Sequence, residues 1–256
     1  MTSDPIVNLR ARTIDEVIQS LDRIIAWSKE YKKRLGYFAA LYRKVTVQVR
    51  EGIRNGLFDD GDRMERLDVI FANRYLTAFE QYQTLQEPTL SWKLAFDTTT
   101  QWPPIVLQHL LIGMNAHIDL DLGVAAAETM RGQELSILKE DFFKINDILI
   151  SLVNEVQVEL AKVWPLLRLL DTFAGEADEA LARFGMKLTR GHAWQTAEAL
   201  SNLSPEGQAL KIGELDQKIA ALGKKILNPG YVIRLVLMII RIGEIRSVAR
   251  IIRILE

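Results

Sequence analysis

The chain has no cysteine, which puts disulfide frameworks, thiolate metal sites and cysteine nucleophiles outside its chemistry. An excess of one charge is missing too. Its 32 lysines and arginines stand against 33 aspartates and glutamates, so no global field draws it to nucleic acid. No uninterrupted apolar run approaches the roughly 20 residues that a spanning helix requires, and stable membrane insertion is not expected. Met1-Thr2-Ser3-Asp4-Pro5 lacks the basic-then-apolar layout of a secretory signal, which suggests a cytoplasmic protein. Phosphate-cradling glycine loops and the G-x-S-x-G elbow are absent, so nucleotide binding on a standard loop and α/β-hydrolase chemistry have no support. Strand signals are scarce, and histidine occurs only three times.

What is present is a succession of helix signals. Thr13, with Glu16 three residues on, forms a capping-box pattern ahead of apolar spacing that runs to about Leu35, where Gly36 interrupts it. Further helices are predicted from Tyr37 to about Asn55, from Asp62 to about Gln83 and around Leu90–Phe96. Pro103-Pro104 then opens a strongly apolar helix. Gly123 is expected to end or bend that helix. A long periodic segment follows from Glu134 to Leu170, broken at Pro165, and then another from Glu176 to Leu203. Ser204-Pro205-Glu206 starts a helix, Asn228-Pro229-Gly230 stops it, and a last helix fills Tyr231 to Leu255. With 256 residues, 48% of them hydrophobic and 25% charged, a substantial core is affordable. The expected architecture is all-α, a single irregular multi-helix bundle over residues 1–256 with a short flexible stretch at about 1–12.

Two of the three histidines lie eight residues apart in the apolar segment His109-Leu110-Leu111-Ile112-Gly113-Met114-Asn115-Ala116-His117-Ile118-Asp119-Leu120-Asp121-Leu122. On a helix, His109, Gly113, His117 and Asp121 form a slowly drifting row, and the glycine leaves a gap between the imidazoles. Polar groups on so apolar a helix need partners. That segment, together with Phe38–Thr46, Phe71–Leu76 and Asp141–Asn146, resembles a bacterial family catalogued only as a domain of unknown function, number 5995. The likeness runs over roughly Ile14 to Leu255. It is densest at the pattern H-L-L-x-G-M-N-A-H-I-x-L-D-L, and it implies an all-helical fold with a polar cluster but no assigned activity.

Three readings of the cluster stay open. His117 and Asp121, spaced i, i+4, could bind a divalent cation (Zn²⁺, Mn²⁺ or Fe²⁺) with Asp141, His109, Asn146 or Asp68 completing the set. Without a metal, His117 could move a proton while Asp121 orients it and His109 lies alongside. Alternatively, the same residues form a structural hydrogen-bond network in a non-catalytic ligand-binding or assembly protein. The leading expectation is a small-molecule enzyme with an apolar substrate. Arg74, Tyr75, Asn115 and Asn146 are the candidate ligand-binding residues, Asn115 also as a tie to a neighbouring helix. His192 is expected at a surface or helix end.

The C-terminal segment is the second feature with functional potential. From Pro229 to Glu256 it holds five arginines and two glutamates, and Tyr231–Ile240 is apolar on nearly all sides. On one continuous helix Arg234 and Arg241 would point one way and Arg246, Arg250 and Arg253 another. That arrangement favours a core helix or a contact between subunits of a homo-oligomer over an interfacial membrane helix.

Overall fold

Carboxylates supplied by distant helices hold the bundle together at its helix starts. A computed structural model describes residues 4–164 and 191–256, and helix is the only regular structure among them. The helices are α1 (Ile14–Glu30), α2 (Gly36–Arg54), α3 (Gly61–Gln83), α4 (Leu90–Thr98), α5 (Val106–Ala116), a π-helical turn (His117–Leu122), α6 (Gly123–Thr129), a 3₁₀ turn (Leu135–Leu138), α7 (Lys139–Val163), α8 (His192–Ser201), α9 (Pro205–Leu227), α10 (Tyr231–Gly243) and α11 (Val248–Leu255). Four of their N-termini, among the described residues, hold a carboxylate from afar, the first being Ile14 of α1, whose N–H donates to Glu65 of α3 (3.1 Å). Asp141 of α7 accepts from the backbone N–H of Asp59 and Asp60 ahead of α3 (2.8 and 3.2 Å). Asp216 of α9 accepts from Leu90 and Ser91 of α4 (2.6 and 2.9 Å). Glu244, just past α10, accepts from Val106 of α5 (2.8 Å). Each carboxylate satisfies N–H groups that a helix leaves orphaned and places negative charge at the positive end of the dipole.

The apolar rod Val106–Thr129 runs through the middle. It is long and apolar enough to cross a bilayer by composition, yet 94% of its most apolar window is buried, which is how a core helix behaves when neighbours cover every face. α2, α3, α4, α8 and α9 pack around it or its π turn.

Several boundaries differ from the sequence reading. α1 stops at Glu30 rather than near Leu35, because Lys32 turns to positive φ (54°). Gly36 opens α2 instead of interrupting a helix. A Cβ there would lie 2.5 Å from Ser28 Cβ and 2.7 Å from Ile252 Cδ1, so glycine permits a close approach of chains. Gly123 does not end the apolar helix, which continues as α6. The single C-terminal helix expected to Leu255 is two. Glu244 adopts an extended ψ of 149° as it turns in toward Val106, and Ser247 then caps α11 by accepting from Arg250 N–H (3.3 Å). The predicted break at Pro165 and the start of the helix placed at Glu176 lie outside the described residues.

Candidate functional site

The rod changes character where its histidine and aspartates occur. Residues His117–Leu122 form a π-helical turn, a feature that widens a helix by one residue and is frequent at functional sites. Its faces have different surroundings. His117 and Asp121 are buried at 2% and 1% exposure. Asp119 instead lines a cleft of about 350 Å³ with His192 and Gln195 of α8 and Lys211 and Lys218 of α9.

Asp121 is the hub of the inner face. Its Oδ2 accepts from the Trp92 indole N–H (2.8 Å) and meets His117 Nδ1 at 3.2 Å, while its Oδ1 accepts from Arg74 Nε (2.6 Å). One carboxylate thereby joins α3, α4 and the π turn. Burial pushes its pKa up, but the Arg74 guanidinium, His117 and the indole together outweigh burial and hold it below the usual carboxylate range. His117 is lowered chiefly by burial, partly offset by Asp121, so at neutral pH the ring is uncharged. With Asp121 as acceptor, the proton of the neutral imidazole belongs on Nδ1 and Nε2 carries the lone pair.

Around that ring the walls are aromatic. Phe71 stacks on it at 3.6 Å between centroids with planes 8° apart, and Tyr42 meets it edge-on at 4.4 Å. Phe38, Trp92 and Tyr75 stand at 5.7, 5.7 and 6.1 Å. Helical spacing assembles these walls: Phe38 and Tyr42 are i, i+4 on α2, and Asp68, Phe71 and Tyr75 are i, i+3, i+7 on α3. Four buried polar atoms here have no hydrogen-bond partner among the described residues: His117 Nε2, Tyr42 Oη, Tyr75 Oη and Asp68 Oδ2. Buried polar groups are normally satisfied. Burial, with a smaller push from Glu65, raises Asp68 to about 8, so at pH 7 it is a neutral acid, one helical turn from the Phe71 ring that stacks on His117.

The structure does not bring His109 to this group. Phe38 lies on the bare backbone of Gly113, where a Cβ would meet its ring at 2.5 Å. The gap foreseen between the histidines is thus filled by a phenyl wall. His109 sits beyond it, edge-on to Tyr37 (5.8 Å), with neither ring nitrogen partnered. Gly113→Ala is expected to cost about 1–3 kcal/mol by overpacking against Phe38; chemical denaturation would measure it.

The other predicted residues separate as follows. Tyr75 and Arg74 belong to the site, Arg74 through a side chain 24% exposed whose guanidinium pairs with Asp121. Asn115 points to α9, its amide donating to Ile219 O (3.0 Å). Asp141, considered as a metal ligand, is instead the cap of α3, with Arg63 and Lys144 also on its oxygens (2.9 and 3.1 Å). Burial pushes Asp141 up, but its backbone and cationic partners hold it below the usual range. Among the described residues, no three His, Cys, Asp or Glu side chains gather into a metal-binding set. The Asn146 side chain lies outside the described residues. His192 is exposed at the first position of α8. Sequence reasoning missed Trp92, Phe71, Tyr42 and Phe38 as site walls. Phe38/Tyr42 and Phe71/Tyr75 could have been found by their repeated i, i+4 aromatic spacing. Trp92 has the same i, i+4 spacing to Phe96 in α4, and the two rings stack.

Residues 14–229 match the family model described as Family of unknown function (DUF5995). No match was found among curated proteins or among solved structures.

Proposed function

We propose, for a chain that belongs to the family of unknown function DUF5995, an enzyme that moves protons on a small apolar carbonyl compound. The observation that carries this reading is the set of four unpartnered polar atoms gathered around one imidazole in an aromatic enclosure. His117 Nε2 is the base, and Asp121 orients the ring and stabilises the imidazolium that forms when Nε2 takes the substrate proton. Asp68, kept protonated by burial, is the acid that donates to the substrate oxygen as charge develops there. Titratable groups whose surroundings push their pKa values past each other are the mark of an acid–base division of labour. Phe38, Phe71 and Trp92 provide the apolar walls. Arg74 is the partly exposed member of the group, so entry is assigned to its side. A metal-assisted variant has less support, because both Asp121 oxygens already hold N–H donors and Asp141 caps α3.

A purely structural role is the second reading, favoured by the way Asp121 pins three elements. The two are separated by a screen of small apolar ketones, aldehydes and esters in D₂O, followed by NMR for deuterium incorporation and turnover. His117→Asn is expected to lower any exchange by about 10²–10⁴-fold, the usual contribution of a general base. Asp68→Asn should reduce it while remaining folded. Exchange that survives His117→Asn in a folded protein, or a panel that yields no exchange at all, would favour the structural reading.

A further inference from the structure

The face of α10 that points away from the core is apolar. Tyr231, Leu235, Met238, Ile239 and Ile242 are between 42% (Met238) and 85% (Tyr231) exposed. At the α-helical increment they fall within an arc of about 100°. On the opposite side Ile240 is buried and Val236 and Leu237 pack against the core. The helix therefore has an apolar inner face that the bundle covers and an apolar outer face that no described residue covers. Contiguous exposed apolar area of this kind marks an interaction surface.

Cations border it. Arg234 is exposed at one edge of the stripe. Arg241 lies on the same edge, its Nε donating to the Trp102 carbonyl at 2.9 Å, and the Trp102 side chain is 55% exposed. Beyond Gly243 the chain breaks before α11, so a single helical wheel does not describe where its arginines point. Arg246, Arg250 and Arg253 are exposed, while Ile251, Ile252 and Leu255 anchor α11 in the core. The two glutamates of this segment are engaged: Glu244 with Val106 and Arg241, Glu256 with Lys29. A second copy of this face would offer the same arginines and no spare carboxylate. A surface of lipid phosphates would complement them, with Trp102 and Tyr231 at the headgroup level where aromatic rings settle.

We infer that the outer face of α10, bordered along one edge by Arg234 and Arg241, binds reversibly to an anionic lipid surface. The test uses the full chain and sucrose-loaded vesicles of phosphatidylcholine alone or mixed with phosphatidylglycerol, with sedimentation as the readout and light scattering of the free protein in parallel. The protein should sediment with the mixed vesicles and not with phosphatidylcholine alone, and added salt should release it. Arg234→Gln should weaken binding roughly fivefold. The double variant Leu235→Ser, Ile239→Ser should weaken it about tenfold or more by removing apolar insertion, with its unfolding transition unchanged because both side chains are exposed. Equal binding to both vesicle types, or binding to neither, would overturn the inference. So would a dimer in the absence of vesicles that the double variant dissolves, which would give the stripe to a second copy.

Discussion

Replacing Asp121 with alanine is expected to cost about 3–5 kcal/mol of stability, as breaking a buried charged network does when it strands the partners. The substitution removes the acceptor for the Trp92 indole, the Nδ1 proton of His117 and Arg74 Nε at once. The indole and the imidazole would be left in an environment almost without water. Asp121→Asn should cost less, since one amide oxygen still accepts from Trp92 or Arg74, but it would no longer hold the imidazole in the Nδ1–H form. Urea unfolding at neutral pH would measure both. A loss below about 1 kcal/mol for the alanine variant would mean that the network contributes no more than a surface ion pair.

The second large effect is on pH dependence. His109 is held neutral to about 3, by burial first and then by the nearby Arg34 and Arg241 guanidiniums. An unfolded histidine titrates near 6.5, so below that pH the unfolded chain takes up a proton that the folded chain refuses. Stability should therefore fall by about 1.4 kcal/mol per pH unit between roughly 6.5 and 3 from this residue alone. His117, also lowered, acts in the same direction. Asp68 acts oppositely: its folded pKa of about 8 lies above the unfolded value near 3.9, so its contribution is full below about pH 4 and is lost as pH rises toward 8. The histidine slopes act against those of the upward-shifted carboxyls Asp68 and Glu244, and the decline toward pH 8 is the part that Asp68→Asn should remove. His109→Leu should abolish its share of the acid slope and stabilise the neutral protein by about 1–2 kcal/mol, because both ring nitrogens are buried without partners. Stability that stays flat from mildly acid to neutral pH, in wild type and variant alike, would contradict this.

The all-helical fold was legible because it rests on periodicity and caps, which are local. Thr13 does accept from Glu16 N–H (3.2 Å), and Ser204 from Gly207 N–H (3.2 Å). The errors came from long-range events. Nothing near Glu244 announces that its carboxylate leaves the helix line to cap α5, and the break before α11 follows from that distant bond. Asp141 has the residue type of a metal ligand, yet its role is decided by the N–H groups of Asp59 and Asp60, more than 80 positions away. The i, i+4 spacing of His117 and Asp121 did bring the two together, whereas the His109–His117 alignment failed to make a shared site. Gly113 was readable as a gap, but only the packing of α2 against α5 shows that Phe38 fills it.

The central claim is that His117 is a neutral imidazole with its proton on Nδ1 and a basic Nε2, in a site whose acid is a protonated Asp68. Histidine-selective ¹⁵N NMR at neutral pH, assigned with His117→Asn and repeated on Asp68→Asn, tests it most directly. The account predicts a neutral His117 ring in the Nδ1–H form whose protonation is shifted below the usual histidine range by burial, with a perturbation near pH 8 that vanishes in Asp68→Asn. An imidazolium at neutral pH, or a ring with its proton on Nε2, would contradict it.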